Sequence, residues 1–176
     1  MIRPSGHEAM RGCLTLPISD GDGPIGMFGL RYERTRRLAE PMAYSNFGAI
    51  PIFSLSGMGN VALKCHQPFD VIAFDEHGYH NGFSELDSEL SEISCDTLNQ
   101  LGVSVLVYFT DPKGANFNVH EAKYVAERYN IKLCEVNLPF SVMHLGKWDD
   151  SQWRIFDNRL TRALSEIGVR NERYQS

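Results

Sequence analysis

The sequence predicts an α/β domain. The arrangement expected is three-layered and Rossmann-like, with a mostly parallel sheet and an antiparallel addition at one edge from the N-terminal third. Three observations carry this. Near-continuous apolar runs at 71–74, 103–109 and 131–136 read as strands covered on both faces. Stretches with helical apolar period lie between and after them. Strands alternating with helices imply parallel neighbours joined by right-handed crossovers.

Along the chain, residues 13–18 and 27–32 flank Asp20-Gly21-Asp22-Gly23-Pro24, a strong turn signal that predicts a hairpin-like start. This acidic turn lacks the ligand series of a calcium-binding EF-hand loop and reads as a plain turn. Residues 49–55 predict a strand, 54–60 a loop of small residues, and 61–65 the start of a helix or a strand. The run 71–74 leads into a polar tip, Asp75-Glu76-His77-Gly78-Tyr79-His80. Ser84 predicts a helix cap, with Glu85 and Asp87 in the first turn. Phe83, Leu86, Leu90, Ile93, Leu98 and Leu101 give that helix its apolar face, and Gly102 stops it.

The strand 103–109 ends in Thr110-Asp111-Pro112-Lys113-Gly114. Asn118 and Glu121 resemble a capping box for the next helix, whose buried side holds Val119, Ala122, Val125, Ala126 and Tyr129. Asn137-Leu138-Pro139 breaks the strand 131–136. Trp153, Phe156, Leu160, Ala163, Leu164 and Ile167 line a last helix that begins near Asp150 and ends at Gly168. The expected organisation is one domain, 1–176, with an N-terminal strand and loop portion at 1–65, a βαβαβα core at 66–168 and a frayed tail at 169–176.

A chain of 176 residues buries roughly 70% of its unfolded surface, enough for a real core. With 43% hydrophobic and 22% charged residues, it does not have the composition of a disordered chain. The net charge of −5 argues against a broad electrostatic hold on duplex DNA. Arg31, Arg34, Arg36 and Arg37, with Glu33 and Glu40 beside them, read as a solvated segment. The expected partner is therefore a small molecule, with no duplex nucleic acid and no membrane. No apolar run approaches the ~20 residues of a membrane span, and residues 1–7 lack the apolar stretch of a signal peptide. Cys13, Cys65, Cys95 and Cys134 form no CxxC pair and fit free thiols in a reducing cytoplasm. Cys95 and Cys134 are expected to be buried. A sheet edge in the N-terminal third allows a homodimer.

Ligands of open parallel sheets sit outside the carboxyl ends of the strands. The tips after 71–74 and 103–109 therefore make the candidate site. Asp75, His77 and Asp111 are its candidate catalytic residues, with Glu76, His80, Lys113, Gly114 and Asn116 as ligand contacts. Carboxylates and neutral imidazoles are ligands of divalent metals, and a bound metal activates water. No metal signature is complete, so metal and cofactor stay unassigned. Gly114 permits close backbone approach, and the helix after it offers N–H groups to an anion. The stretch from Thr110 to Asn116 matches neither the P-loop nor the GxGxxG pattern.

Ser56 and Gly57, within 54–60, make a second candidate phosphate loop without the GxSxG nucleophile pattern. Cys65 sits beside His66, but neighbours on a strand face opposite ways. A nucleophilic Cys65 would need a remote base such as His77, His80, His120 or His144. Trp148, in the polar stretch 144–150, is expected to pack beneath the last helix rather than act as a lid.

Lys113-Gly114-Ala115-Asn116, Val125-Ala126, Ile131-Lys132-Leu133 and Pro139 together resemble the back half of Rossmann-like nucleotide-binding domains of the SLOG type. Phe156-Asp157-Asn158-Arg159 is similar to the late Arg-Asn pair of such domains, in reversed order, and the double-glycine turn of that family is missing. The resemblance implies a Rossmann-like fold. The function expected is binding of a nucleotide or phosphorylated metabolite at the strand ends, in a hydrolase or transferase. One alternative is a non-enzymatic inhibitor or accessory protein that binds another protein through an apolar or acidic patch. The other is a cysteine-dependent enzyme using Cys65.

Overall fold

The computed structural model describes residues 13–20, 23–31, 42–45, 52–53, 59–85, 90–112, 119–142 and 145–170. The chain divides into two compact units, Met1–Ile50 and Pro51–Ser176. In the first, β1 (Cys13–Asp20), β2 (Gly23–Arg31) and β3 (Met42–Ser45) form an antiparallel sheet in that order. Asp20 pairs with Gly23 at the end of the antiparallel β1–β2 ladder. These strands do not extend the parallel sheet, contrary to the expected N-terminal antiparallel edge. Both ladders of β2 are occupied by β1 and β3, which makes a separate sheet.

The second unit is an α/β fold. Its strands are β4 (Ile52–Phe53), β5 (Val61–Lys64), β6 (Gly82–Ser84), β7 (Val105–Thr110) and β8 (Lys132–Asn137), in the order β4-β6-β5-β7-β8. The four strands β6-β5-β7-β8 are parallel, and the two-residue β4 pairs antiparallel with β6. Helices α1 (Pro68–Glu76), α2 (Glu92–Gln100), α3 (Val119–Arg128) and α4 (Asp150–Glu166) complete it, with a 3-10 turn at Leu145–Lys147.

Side-chain alternation along the strands feeds two cores. Val105, Val107 and Phe109 of β7 face Phe74 of α1 and Trp153, Phe156 and Leu160 of α4. Leu106 and Tyr108 face Leu98 of α2 and Ala122 and Ala126 of α3. Both faces of β7 are covered, which explains its unbroken apolar run. Asp149 caps α4 through a capping box with Gln152, and Gly168 takes the left-handed conformation (φ 78°) beyond its end.

Two expected elements are different in the structure. Residues 71–74 are helical, inside α1. Their strand-like reading came from a run of four apolar residues, too short to show a period. Pro68 near the start of α1, with Asp70 in the first turn, is the local cause of the helix. The strand that precedes it is β5, with all four residues buried. Ser84 ends β6 rather than capping a helix. The cap of α2 is Ser91, whose hydroxyl accepts from the Ser94 N–H. Gly82 packs closely under α1: a Cβ there would lie 3.3 Å from the Phe74 ring, which would have to give way slightly.

Candidate functional site

From β5 the chain passes to β6 on one side and returns past it to β7 on the other. The carboxyl ends of β5 and β7 thus flank a topological switch point, the ligand crevice of open α/β sheets. Beyond β5 the chain presents Cys65, His66 and Gln67, and beyond β7 it presents Asp111.

His66 Nε2 lies 3.2 Å from the Phe109 carbonyl oxygen. A carbonyl only accepts, so Nε2 carries the proton and Nδ1 keeps a lone pair. Burial lowers the pKa of His66, and the Lys64 charge adds to this, while the Phe109 carbonyl and Asp111 oppose it. The ring is therefore neutral near pH 7.

Two buried carboxyls lie at the same edge. Asp111 Oδ2 accepts from the Val142 N–H at 3.1 Å. Asp70, in the first turn of α1, is 3% exposed, and its Oδ1 accepts from the Leu145 N–H at 2.8 Å. Asp70 Oδ2 is buried without a hydrogen-bond partner among the described residues. Burial raises this carboxyl to about 7 against hydrogen bonds from the Leu145 and Gln67 backbone. With Leu138 N–H donating to the Thr110 carbonyl, the connection from β8 to α4 is fastened to the end of β7 and the start of α1. Trp148 donates from Nε1 to the Ser141 carbonyl and packs on Phe140, Trp153 and Phe156, beneath α4 as expected.

Lys64 turns to the opposite face of the sheet and pairs with Glu85 at 3.1 Å, with both side chains buried. Glu85 Oε1 also accepts from the Ser91 N–H and from the hydroxyls of Ser91 and Ser94. This network ties β5 and β6 to the cap of α2 and has a structural role.

The other expected tip is elsewhere. Helix α1 carries the chain back from the carboxyl ends of the strands to the start of β6. Asp75 and Glu76 in its last turn, and His77 and His80 beyond, therefore lie at the amino-terminal edge. There His80 Nδ1 is 2.6 Å from Asp75 Oδ1, and His77 Nδ1 donates to the Ala73 carbonyl at 2.9 Å. The His77 ring stacks on Trp153 at 3.8 Å. The expected catalytic set of Asp75, His77 and Asp111 is thus not assembled, and Glu76 and His80 remain with Asp75. Lys113, Gly114, Asn116, Ser56 and Gly57 lie outside the described residues. Among the described residues no group of three or more His, Cys, Asp and Glu side chains is placed to hold a metal.

Cys65 is 1% exposed. Burial first, then the Asp70 charge, pushes its thiol well above the usual range, with only partial opposition from Lys64 and a Phe83 backbone hydrogen bond. A thiol held protonated is a poor nucleophile, and its Sγ donates to the Leu63 carbonyl. Cys95 and Cys134 are buried and free, as expected. Among the described residues the exposed large apolar side chains are Ile72 in α1, Ile93 in α2, Leu101 just beyond it, Tyr124 in α3 and Ile155 in α4. A shallow hollow of about 790 Å3 runs along α4 past Asp157, Arg162 and Arg170, outside the switch point. Among the described residues no helix is long and apolar enough to cross a membrane.

Sequence reasoning passed over Asp70 and gave His66 no role of its own. A usable signal was present: Pro68 marks a helix start and hence places the preceding strand end at 64–66.

No family model and no curated protein matches the chain. Solved structures do. It is similar to the catalytic core of the E. coli primase, with a TM-score of 0.63 and 16% identity over 93% of this chain and 56% of that one. A DNA primase domain from Pseudomonas aeruginosa gives 0.58 and 17% identity over 94% and 57%. A DnaG primase catalytic domain bound to single-stranded DNA gives 0.58 and 15% identity over 95% and 60%. The class defined is thus an α/β domain with the fold of primase catalytic cores. The chain spans a little over half the length of these structures. The likeness corrects the expectation of no duplex nucleic acid, whose ground in the net charge does not hold, and leaves a small-molecule ligand compatible with the fold. One chain of this fold is bound to single-stranded DNA, and net charge sums over the whole surface without reporting on a local groove.

Proposed function

We propose that the second unit handles a nucleotide or single-stranded nucleic acid at the crevice between the carboxyl ends of β5 and β7. The observation that carries this reading is the neutral His66 at the switch point, with Nε2 committed to the Phe109 carbonyl and Nδ1 left as an acceptor. The shared fold with primase catalytic cores supports it. Asp111 fixes the wall of the crevice through Val142. In this reading Lys113, Gly114 and Asn116, between β7 and α3, supply phosphate contacts.

The test is fluorescence anisotropy with a labelled single-stranded oligonucleotide and a labelled nucleoside triphosphate, each at several salt concentrations. Binding should weaken with salt, as phosphate contacts do. His66→Gln and Lys113→Ala should each weaken it by up to about tenfold, the worth of one hydrogen bond or charge contact. Asp75→Ala, at the opposite edge, should leave it unchanged. Binding of neither probe, or an Asp75→Ala loss as large as that of His66→Gln, overturns the reading.

A further inference from the structure

We infer that Asp70 is a proton-operated latch on the connection between β8 and α4: its neutral carboxyl holds the turn Leu145–Lys147 against the start of α1, and its ionised form releases it. One oxygen of this buried carboxyl receives the Leu145 N–H at 2.8 Å, while the other has no hydrogen-bond partner among the described residues. Ionisation therefore puts a full charge where one oxygen is unsolvated, an unfavourable state unless water reaches it. Opening the turn that covers it is the local route to water.

Among the described residues no neighbouring charge offsets that ionisation. Lys64 is taken up by Glu85 across the sheet. The Cys65 thiol, at the end of β5, feels the Asp70 charge and itself stays protonated. The strand packed on α1, β6, is Gly-Phe-Ser and brings no titratable group. Lys147, in the turn, is exposed. Asp111 bonds Val142, the neutral His66 ring bonds the Phe109 carbonyl, and Asp149 caps α4. From α4 itself the rings of Trp153 and Phe156 join the core around α1.

Burial holds the Asp70 carboxyl at about 7, against 3.8 for an unperturbed one. The closed state binds the proton more tightly than an open, solvated one. Closure therefore weakens about tenfold for each pH unit of rise between those two values and levels off above the upper one. The latch sits on the segment fastened beside the candidate crevice, so its effect on a ligand rests on the reading above. The latch itself is measured without any ligand, and its failure is distinct from failure of that reading.

The experiment is amide hydrogen exchange of the full chain by NMR, comparing the Leu145 N–H with the Leu138 N–H, which is bonded to the Thr110 carbonyl. Protection is corrected for the intrinsic pH dependence of exchange. Between about pH 5.5 and about pH 7, Leu145 protection should fall by more than tenfold relative to Leu138. In Asp70→Asn this pH dependence should vanish. His144 adjoins Leu145 in sequence and is a histidine, the residue type that ordinarily changes charge between pH 5 and 8, so His144→Gln is the control and should keep the dependence. A flat wild-type profile, a dependence that survives Asp70→Asn, or one abolished by His144→Gln overturns the latch. Should Asp70→Asn fail to fold, carboxyl-carbon titration of the wild type decides: a midpoint near 7 supports the latch and one near 4 overturns it.

Discussion

At the carboxyl edge of the parallel sheet, Asp70 and Asp111 are buried, and each accepts a backbone N–H from the connection that leads to α4. At the amino edge, Asp75 pairs with His80 while its side chain is 43% exposed. Both edges carry aspartates and histidines, so residue type does not separate them. Burial does. A solvated carboxylate gains little from a partner because water competes for the same charge. A dry carboxyl controls the backbone it bonds, and its protonation becomes a structural variable. The histidines differ in the same way. His77 is committed to a carbonyl and to the face of Trp153, whereas His66 keeps Nδ1 available beside the switch point.

The comparison can be broken most directly at Lys64. Lys64→Met leaves Glu85 buried without its ammonium and should cost about 3–5 kcal/mol in chemical denaturation. A loss below about 1 kcal/mol would mean that the carboxyl edge is as wet as the amino edge. The next effect comes from Asp70. Its pKa is raised on folding, so the folded state binds more protons between pH 3.8 and about 7. Its contribution to stability is full below that window and is lost as pH rises through it, by up to about 4 kcal/mol. Asp70→Asn should remove this slope and make the variant more stable than wild type at pH 8, as read from thermal midpoints across pH. The smallest effect is at the amino edge. Asp75→Ala combined with His80→Ala should cost less than about 1 kcal/mol, and a larger loss would erase the contrast between the edges.

Much of the second unit is legible along the chain. The helical stripe from Trp153 to Leu164 and the apolar run that becomes β7 are long enough to show a period or its absence, and both are where the sequence places them. The run 71–74 is not, because four apolar residues suit a strand and a buried helical turn equally. That single exchange moved Asp75, His77 and His80 to the opposite edge of the sheet. Asp111 was recognisable as a strand end followed by a turn. The roles of His66 and Asp70 were not, since each depends on a partner far away in sequence: Phe109 for the imidazole and Leu145 for the carboxyl.

By itself the sequence determined β7, β8 and the packing faces of α3 and α4, because local period and end signals decide these. The tertiary structure alone decided the order β6-β5-β7-β8. Strand pairing is non-local, and it was this order that put β5 beside β7, gathered His66, Asp70 and Asp111 at one edge, and removed Asp70 from water.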